Sequence, residues 1–214
     1  LRTSKGRKWN SMRNLLKALA VFAAIFFFSN LGAKTRLPNF ESSIQDADKK
    51  EIAFRNGDVF APASFSFYAI GFYVNGTQTD NLKLKESDEP MALQLVSLSN
   101  LLTMKKLISE LRRGFGYGSD HDKAFLATIQ ADIEKFLDLL KNSGKKPTKG
   151  NRITFLYTPK RGVEVRFNST ALGTVQGHSF KKALFGIWLN NNCADEKLRD
   201  KIVSLPKQQT KKEK

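Results

Sequence analysis

The run Phe65–Val74, FSFYAIGFYV, is apolar on both of its alternating faces. Phe65, Phe67, Ala69 and Tyr73 fall on one face, and Tyr68, Ile70, Phe72 and Val74 fall on the other. A period of 2 with no polar side describes a strand buried from both directions. Asn75-Gly76 then ends the strand as a turn.

The remaining pattern is mixed. A first strand is expected near Lys50–Arg55, followed by a turn at Asn56-Gly57-Asp58. Met91–Leu98 alternates as another strand. Ile153–Tyr157 and Val163–Phe167 form a hairpin turned at Pro159–Gly162, and a short strand follows at Leu172–Val175. Helical spacing marks Thr103–Arg113 through Leu107, Ile108 and Leu111. It also marks Asp122–Lys141, with Asp120 as a cap and Gly144 as a stop. In His178–Leu189, Phe180, Ala183, Leu184, Ile187 and Trp188 share one face. A last helix, Asp195–Leu205, stops at Pro206. The glycine-rich Gly114-Phe115-Gly116-Tyr117-Gly118 lacks the strand and the GKS/T of a phosphate loop, so it reads as a plain loop. Strands, helices, a hairpin and more helices make an α+β domain with a largely antiparallel sheet.

Charge narrows the function classes. The 214-residue chain carries a net +16, but residues 1–33 hold Arg2, Lys5, Arg7, Lys8, Arg13 and Lys17 with no acid. Residues 207–214 add four lysines against Glu213, so more than half of the excess sits in the two ends. The signs in between are interspersed, as on a solvated surface, and no nucleic-acid-binding motif appears. No specific nucleic-acid partner is expected. The basic stretch before the eleven apolar residues Ala18–Phe28, with Gly32 and Ala33 after them, has the order of a secretory signal. Residues 1–33 are therefore expected to be a leader that directs the chain to a secreted or periplasmic location. An uncleaved membrane anchor over residues 15–33 is the alternative, and any membrane contact is expected there alone. The tail 207–214 is expected to be disordered. One cysteine, Cys193, and two histidines, His121 and His178, leave little from which to build a metal site, and no metal or cofactor is expected. Nothing places either histidine beside a nucleophile, and Cys193 reads as a passive thiol.

Two stretches resemble the chalcone isomerase-like family. FSFYAIGFYVNG at 65–76 is similar to its core strand. RGVEVRFNSTALGTVQGHSFKKALFGIWLNNN at 161–192 is similar to its hairpin and following helix, matching at Gly162, Val165, Asn168, Gly173, Gly177, Ala183, Leu184 and Trp188 among others. The order of elements agrees over roughly residues 40–205, and the similarity is strongest to secreted bacterial-type members. The resemblance implies an open-faced antiparallel sheet with helices packed on one face and an apolar cleft between the layers. In the isomerases that cleft closes a chalcone's phenol onto its double bond. In the fatty-acid-binding members an arginine and a core-strand tyrosine hold a carboxylate.

On this resemblance Tyr68, before Ala69-Ile70-Gly71, stands where the isomerases carry threonine. Arg55, thirteen residues upstream and the only arginine between residues 37 and 111, stands for the family arginine. The isomerases' tyrosine and asparagine fall near Leu107 and Gly114, where neither residue type is present. The implied function is noncatalytic binding of a fatty acid or similar amphipathic molecule, its carboxylate on Arg55 and Tyr68. An intramolecular lyase acting on a flavonoid-like substrate is the alternative, with no catalytic residue assigned. A third possibility is a structural or interaction protein whose cleft is filled by side chains. Arg55 could equally be a surface residue at a strand end, Tyr68 a core residue, and Phe180, Ile187 and Trp188 packing between helix and sheet.

Overall fold

A computed structural model of the chain describes residues 36–60 and 68–206. The expected leader (1–33), its anchor alternative (15–33), the tail (207–214) and Phe65–Phe67 of the core strand lie outside the described residues. The elements are β1 (Ser43–Gln45), β2 (Glu51–Phe60), β3 (Tyr68–Val74), α1 (Asn81–Glu86), β4 (Met91–Ser97), α2 (Met104–Gly118) and α3 (Lys123–Thr128). They continue with α4 (Gln130–Asn142), β5 (Arg152–Thr158), β6 (Gly162–Phe167), β7 (Thr170–Val175), α5 (His178–Leu189) and α6 (Glu196–Val203).

The seven strands form one sheet in chain order, each antiparallel to its neighbours. The class is α+β, with the helices on one face of the sheet. All seven residues of β3 are buried. Its even-numbered side chains, Tyr68, Ile70, Phe72 and Val74, join a core that includes α2, α4 and α5. At the centre of that core Phe136 of α4 packs against Phe155 of β5 at 5.4 Å and Phe180 of α5 at 5.6 Å between ring centroids. Burying one such ring contributes about 1.5–3 kcal/mol. On the other face Tyr73 packs with Phe54, and Phe54 stacks on Phe40 at 5.2 Å. A β-carbon on Gly71 would lie 2.6 Å from the Phe40 ring, so only a bare backbone lets that aromatic lie on the sheet.

Three local expectations are corrected. Asn56-Gly57-Asp58 is not a turn but the middle of β2, which runs through it with a bulge between Phe54 and Asn56. Gly57 is needed because a β-carbon there would lie 2.7 Å from the Ile70 carbonyl oxygen and 2.9 Å from Phe40. The helix expected over Asp122–Lys141 is broken at Ile129, whose dihedrals (−115°, 11°) leave the helical region. The Thr128 hydroxyl donates to the Phe125 carbonyl at 2.7 Å, a local bond that competes with the helical ladder. The cap of α3 is Asp122, which accepts from the Phe125 N–H, and not Asp120.

The third correction concerns the glycine segment. Gly114–Gly118 is not a loop; it is the last turn of α2, and Gly114 and Gly118 form the crossing with α5. A β-carbon on Gly118 would run into the Ala183 carbonyl oxygen, and one on Gly186 would lie 2.5 Å from the Gly118 oxygen. The two backbones touch because neither carries a side chain there. α1 was not anticipated. Asp80 caps it by accepting from the Leu82 and Lys83 N–H groups. Its C-terminal carbonyls receive Lys181 of α5, a fully buried lysine whose Nζ donates to the oxygens of Leu84 (3.2 Å), Lys85 (2.8 Å) and Ser87 (2.6 Å). Burial pulls the Lys181 ammonium down from 10.5 to about 7, against the opposing pull of Glu86 and Asp88 and with a smaller push from Lys182 and Lys85.

Two outcomes are expected. Gly118→Ala drives a methyl into a backbone oxygen that cannot move aside, and lowers unfolding stability by about 3 kcal/mol in urea titration. Gly116→Ala, which meets only the movable His121 ring, changes it by less than about 1 kcal/mol. Lys181 binds its proton less tightly when folded than when unfolded, so between about pH 7 and 10 the unfolded chain holds more protons and stability rises with pH. Urea midpoints across that window should climb in the unsubstituted chain and flatten in Lys181→Met.

Candidate ligand cavity between sheet and helices

The structure separates the two residues expected to bind ligand together. Arg55 sits at the β2 bulge, beside the end of β3 far from Tyr68; Phe54 pairs with Tyr73, whereas Phe60 pairs with Tyr68. The Arg55 side chain is buried, and its guanidinium donates to the Gly76 oxygen at 2.6 Å and to the Gln78 oxygen. Burial lowers its proton affinity. It serves as a clasp on the chain leaving β3 and does not line the cavity that Tyr68 lines. The paired carboxylate clamp expected from the sequence is thus not assembled, because the bulge and the carbonyls after Asn75 take the guanidinium.

Tyr68 lies at the first position of β3, under α2, α5 and α6. Its ring stacks on Phe60 at 5.0 Å, and its hydroxyl accepts from the Trp188 indole N–H at 3.4 Å. Among the described residues no acceptor takes the hydroxyl's own hydrogen. Burial, with smaller contributions from the carboxylates of Glu110 and Asp195, holds the Tyr68 hydroxyl well above the usual tyrosine range, against a lowering from the Trp188 bond. The phenol is neutral at any physiological pH.

Tyr68 and Trp188 line a cavity walled by Leu107, Leu111 and Gly114 of α2 and Ile187 of α5. Glu110, Arg113 and Asp195 stand among its lining residues as the charged groups. Arg113 is ion-paired with Glu110, and Asp195 caps α6 by accepting from the Leu198 N–H at 3.0 Å. The cavity volume is about 40 Å³, room for about one water. It is small because Gly114 has no side chain and Ile187 presses into the space; a β-carbon on Gly114 would lie 2.8 Å from Ile187 Cγ2. Leu107 and Gly114 are the positions to which the resemblance assigned the isomerases' polar pair. Both face this cavity and contribute no polar side-chain atom.

A larger concavity of about 440 Å³ lies on the opposite face of the sheet, over Gln94, Thr154, Arg152 and Arg166. Its polar groups are already engaged with one another and with the segment before β1. Arg152 donates to Gln94 Oε1 at 2.7 Å and to the Asn39 oxygen at 2.6 Å, and Arg166 is paired with Glu164. Among the described residues no group of three or more His, Cys, Asp or Glu side chains is placed to hold a metal ion. The Tyr117 and His121 rings meet edge to face at 5.2 Å, and His178 Nε2 lies 3.3 Å from the Ser87 oxygen, so both histidines have structural contacts. Sequence reasoning treated Trp188 as packing and missed its bond to Tyr68, which spans 120 positions. The charged rim was missed as well, although the spacing of Leu107, Leu111 and Gly114 already put Glu110 at the edge of that helical face.

Residues 46–204 match the chalcone isomerase-like family. The chain belongs to that family. Among solved structures, this chalcone isomerase-like chain is similar to the Arabidopsis thaliana fatty-acid binding protein AtFAP1, with 16% sequence identity and a TM-score of 0.58. The likeness covers 77% of this chain and 90% of the Arabidopsis one, and at that identity it shows a shared fold. No curated protein matches the chain by sequence.

Proposed function

We propose that this chalcone isomerase-like chain binds a small amphipathic lipid in the cavity between sheet and helices and does not transform it. The observation that carries the reading is the character of the α2 wall. At Leu107 and Gly114, where the resemblance puts the isomerases' tyrosine and asparagine, this wall offers only apolar surface and a bare backbone. A proton-transfer reaction needs a positioned acid or base within hydrogen-bond reach of the substrate. The inner wall supplies one neutral phenol and one indole N–H, which suffice to orient a ligand, while the rim carboxylates Glu110 and Asp195 are engaged by Arg113 and the Leu198 N–H.

The fold shared with the Arabidopsis fatty-acid binding protein supports a lipid over other amphiphiles. The cavity as it stands holds about one water, so a lipid chain would enter only as Ile187, which fills the space beside Gly114, and the α2 and α5 walls move apart. The apolar tail gains about 0.8 kcal/mol for each methylene it buries. The leader-like residues 1–33 support a secreted or periplasmic location for this binding.

Native mass spectrometry after incubation with single-chain lipids tests the reading. One lipid per chain, recovered with unchanged mass and with the chromatographic retention of the starting lipid, is the expected result; no retained lipid, or a converted product, an isomer of equal mass included, contradicts it. Arg55→Lys keeps a cation for the Gly76 and Gln78 carbonyls and should retain lipid as the unsubstituted chain does. Loss of binding in that variant would restore Arg55 to the site.

A further inference from the structure

Building on the lipid-binding reading, we infer that the polar end of the ligand is an uncharged oxygen acceptor, such as a hydroxyl, ketone or ester, and not an ionised carboxylate. Four features of the cavity lead to this. The first is the donor inventory. Tyr68 has one hydrogen that no described residue accepts, and Trp188 has one N–H already given to Tyr68, so the wall offers a neutral hydrogen bond of the kind an alcohol or carbonyl oxygen accepts. A carboxylate buried among apolar groups needs charge-assisted partners to offset its desolvation.

The second feature is the absence of a free cation at this cavity among the described residues. Arg55 donates to backbone carbonyls elsewhere, and Arg113, exposed at the rim, has the Glu110 carboxylate on one of its nitrogens. The third is the sign of the rim. Two carboxylates, Glu110 and Asp195, face one guanidinium, Arg113. The fourth is helix polarity. Tyr117 of α2 and Ile187 and Trp188 of α5 lie in the last turns of their helices, so the cavity meets the negative end of both their dipoles and not the positive one. The one helix that offers its positive end, α6, has that end answered by Asp195. The same carboxylates that help to keep the Tyr68 phenol protonated would repel a ligand carboxylate placed against it.

The test compares three probes with the same twelve-carbon chain: 1-dodecanol, methyl dodecanoate and sodium dodecanoate. Each is titrated into the full chain by calorimetry at about pH 8, where the acid is fully ionised. The alcohol and the ester should bind about tenfold or more tightly than the acid, the scale of one charge-assisted bond left unmade. Glu110→Gln combined with Asp195→Asn, which keeps a capping side chain, should narrow that ratio. Tyr68→Phe should weaken the alcohol several-fold and so show that the phenol is the donor. Dodecanoate binding as tightly as dodecanol would overturn the inference while leaving lipid binding intact. Failure of all three probes to bind would overturn both the inference and the reading beneath it.

Discussion

The double burial of β3 is the constraint on which the rest of the structure depends. Its even-numbered side chains require a layer of helices, and its odd-numbered ones require cover on the other face. The two covers differ. The helix layer is built from aromatic and aliphatic side chains around Phe136 and Phe180, whereas the other cover is an aromatic laid over glycine, with a polar network beside it. Among the described residues the first layer parts slightly from the strand at Tyr68, and that is the place we propose for an apolar ligand.

Glycine decides how far it parts. Gly118 and Gly186 let α2 and α5 meet backbone to backbone, which fixes where Leu107, Leu111 and Ile187 stand relative to β3. One turn earlier, Gly114 leaves a gap that Ile187 enters. The contact that holds the helices together and the gap that ends in a cavity therefore come from the same four-residue spacing on α2. The charged rim follows from that helix too, since Glu110 and Arg113 occupy the solvent side of the same turns.

Much of this was legible in the sequence. The alternating patterns located β3 to β7 and the 3.6-residue pattern located α5, because burial on these elements is regular and period alone reveals it. What stayed hidden depended on partners distant in the chain. The glycines at 114–118 look like a loop until α5 lies against them, and Asn56-Gly57-Asp58 looks like a turn until Phe40 and Ile70 explain the glycine. Lys181 has no counterpart in an apolar pattern, and its role appears only when α1 brings its carbonyls to it. Family resemblance pointed to Tyr68, which lines the cavity, but its pairing with Arg55 went with a turn at Asn56-Gly57-Asp58, whereas β2 runs on through a bulge to Phe60 and holds Arg55 beside the far end of β3.

We propose the Tyr68–Trp188 pair as the polar contact of the cavity. That role is tested most directly by the indole N–H resonance of Trp188, assigned by its loss in Trp188→Phe. A bound lipid that takes the Tyr68 hydrogen changes the acceptor to which Trp188 donates, so saturation with an uncharged single-chain lipid should shift that resonance and saturate together with binding. A lipid that binds the chain stoichiometrically while the Trp188 resonance stays where it was would contradict the account.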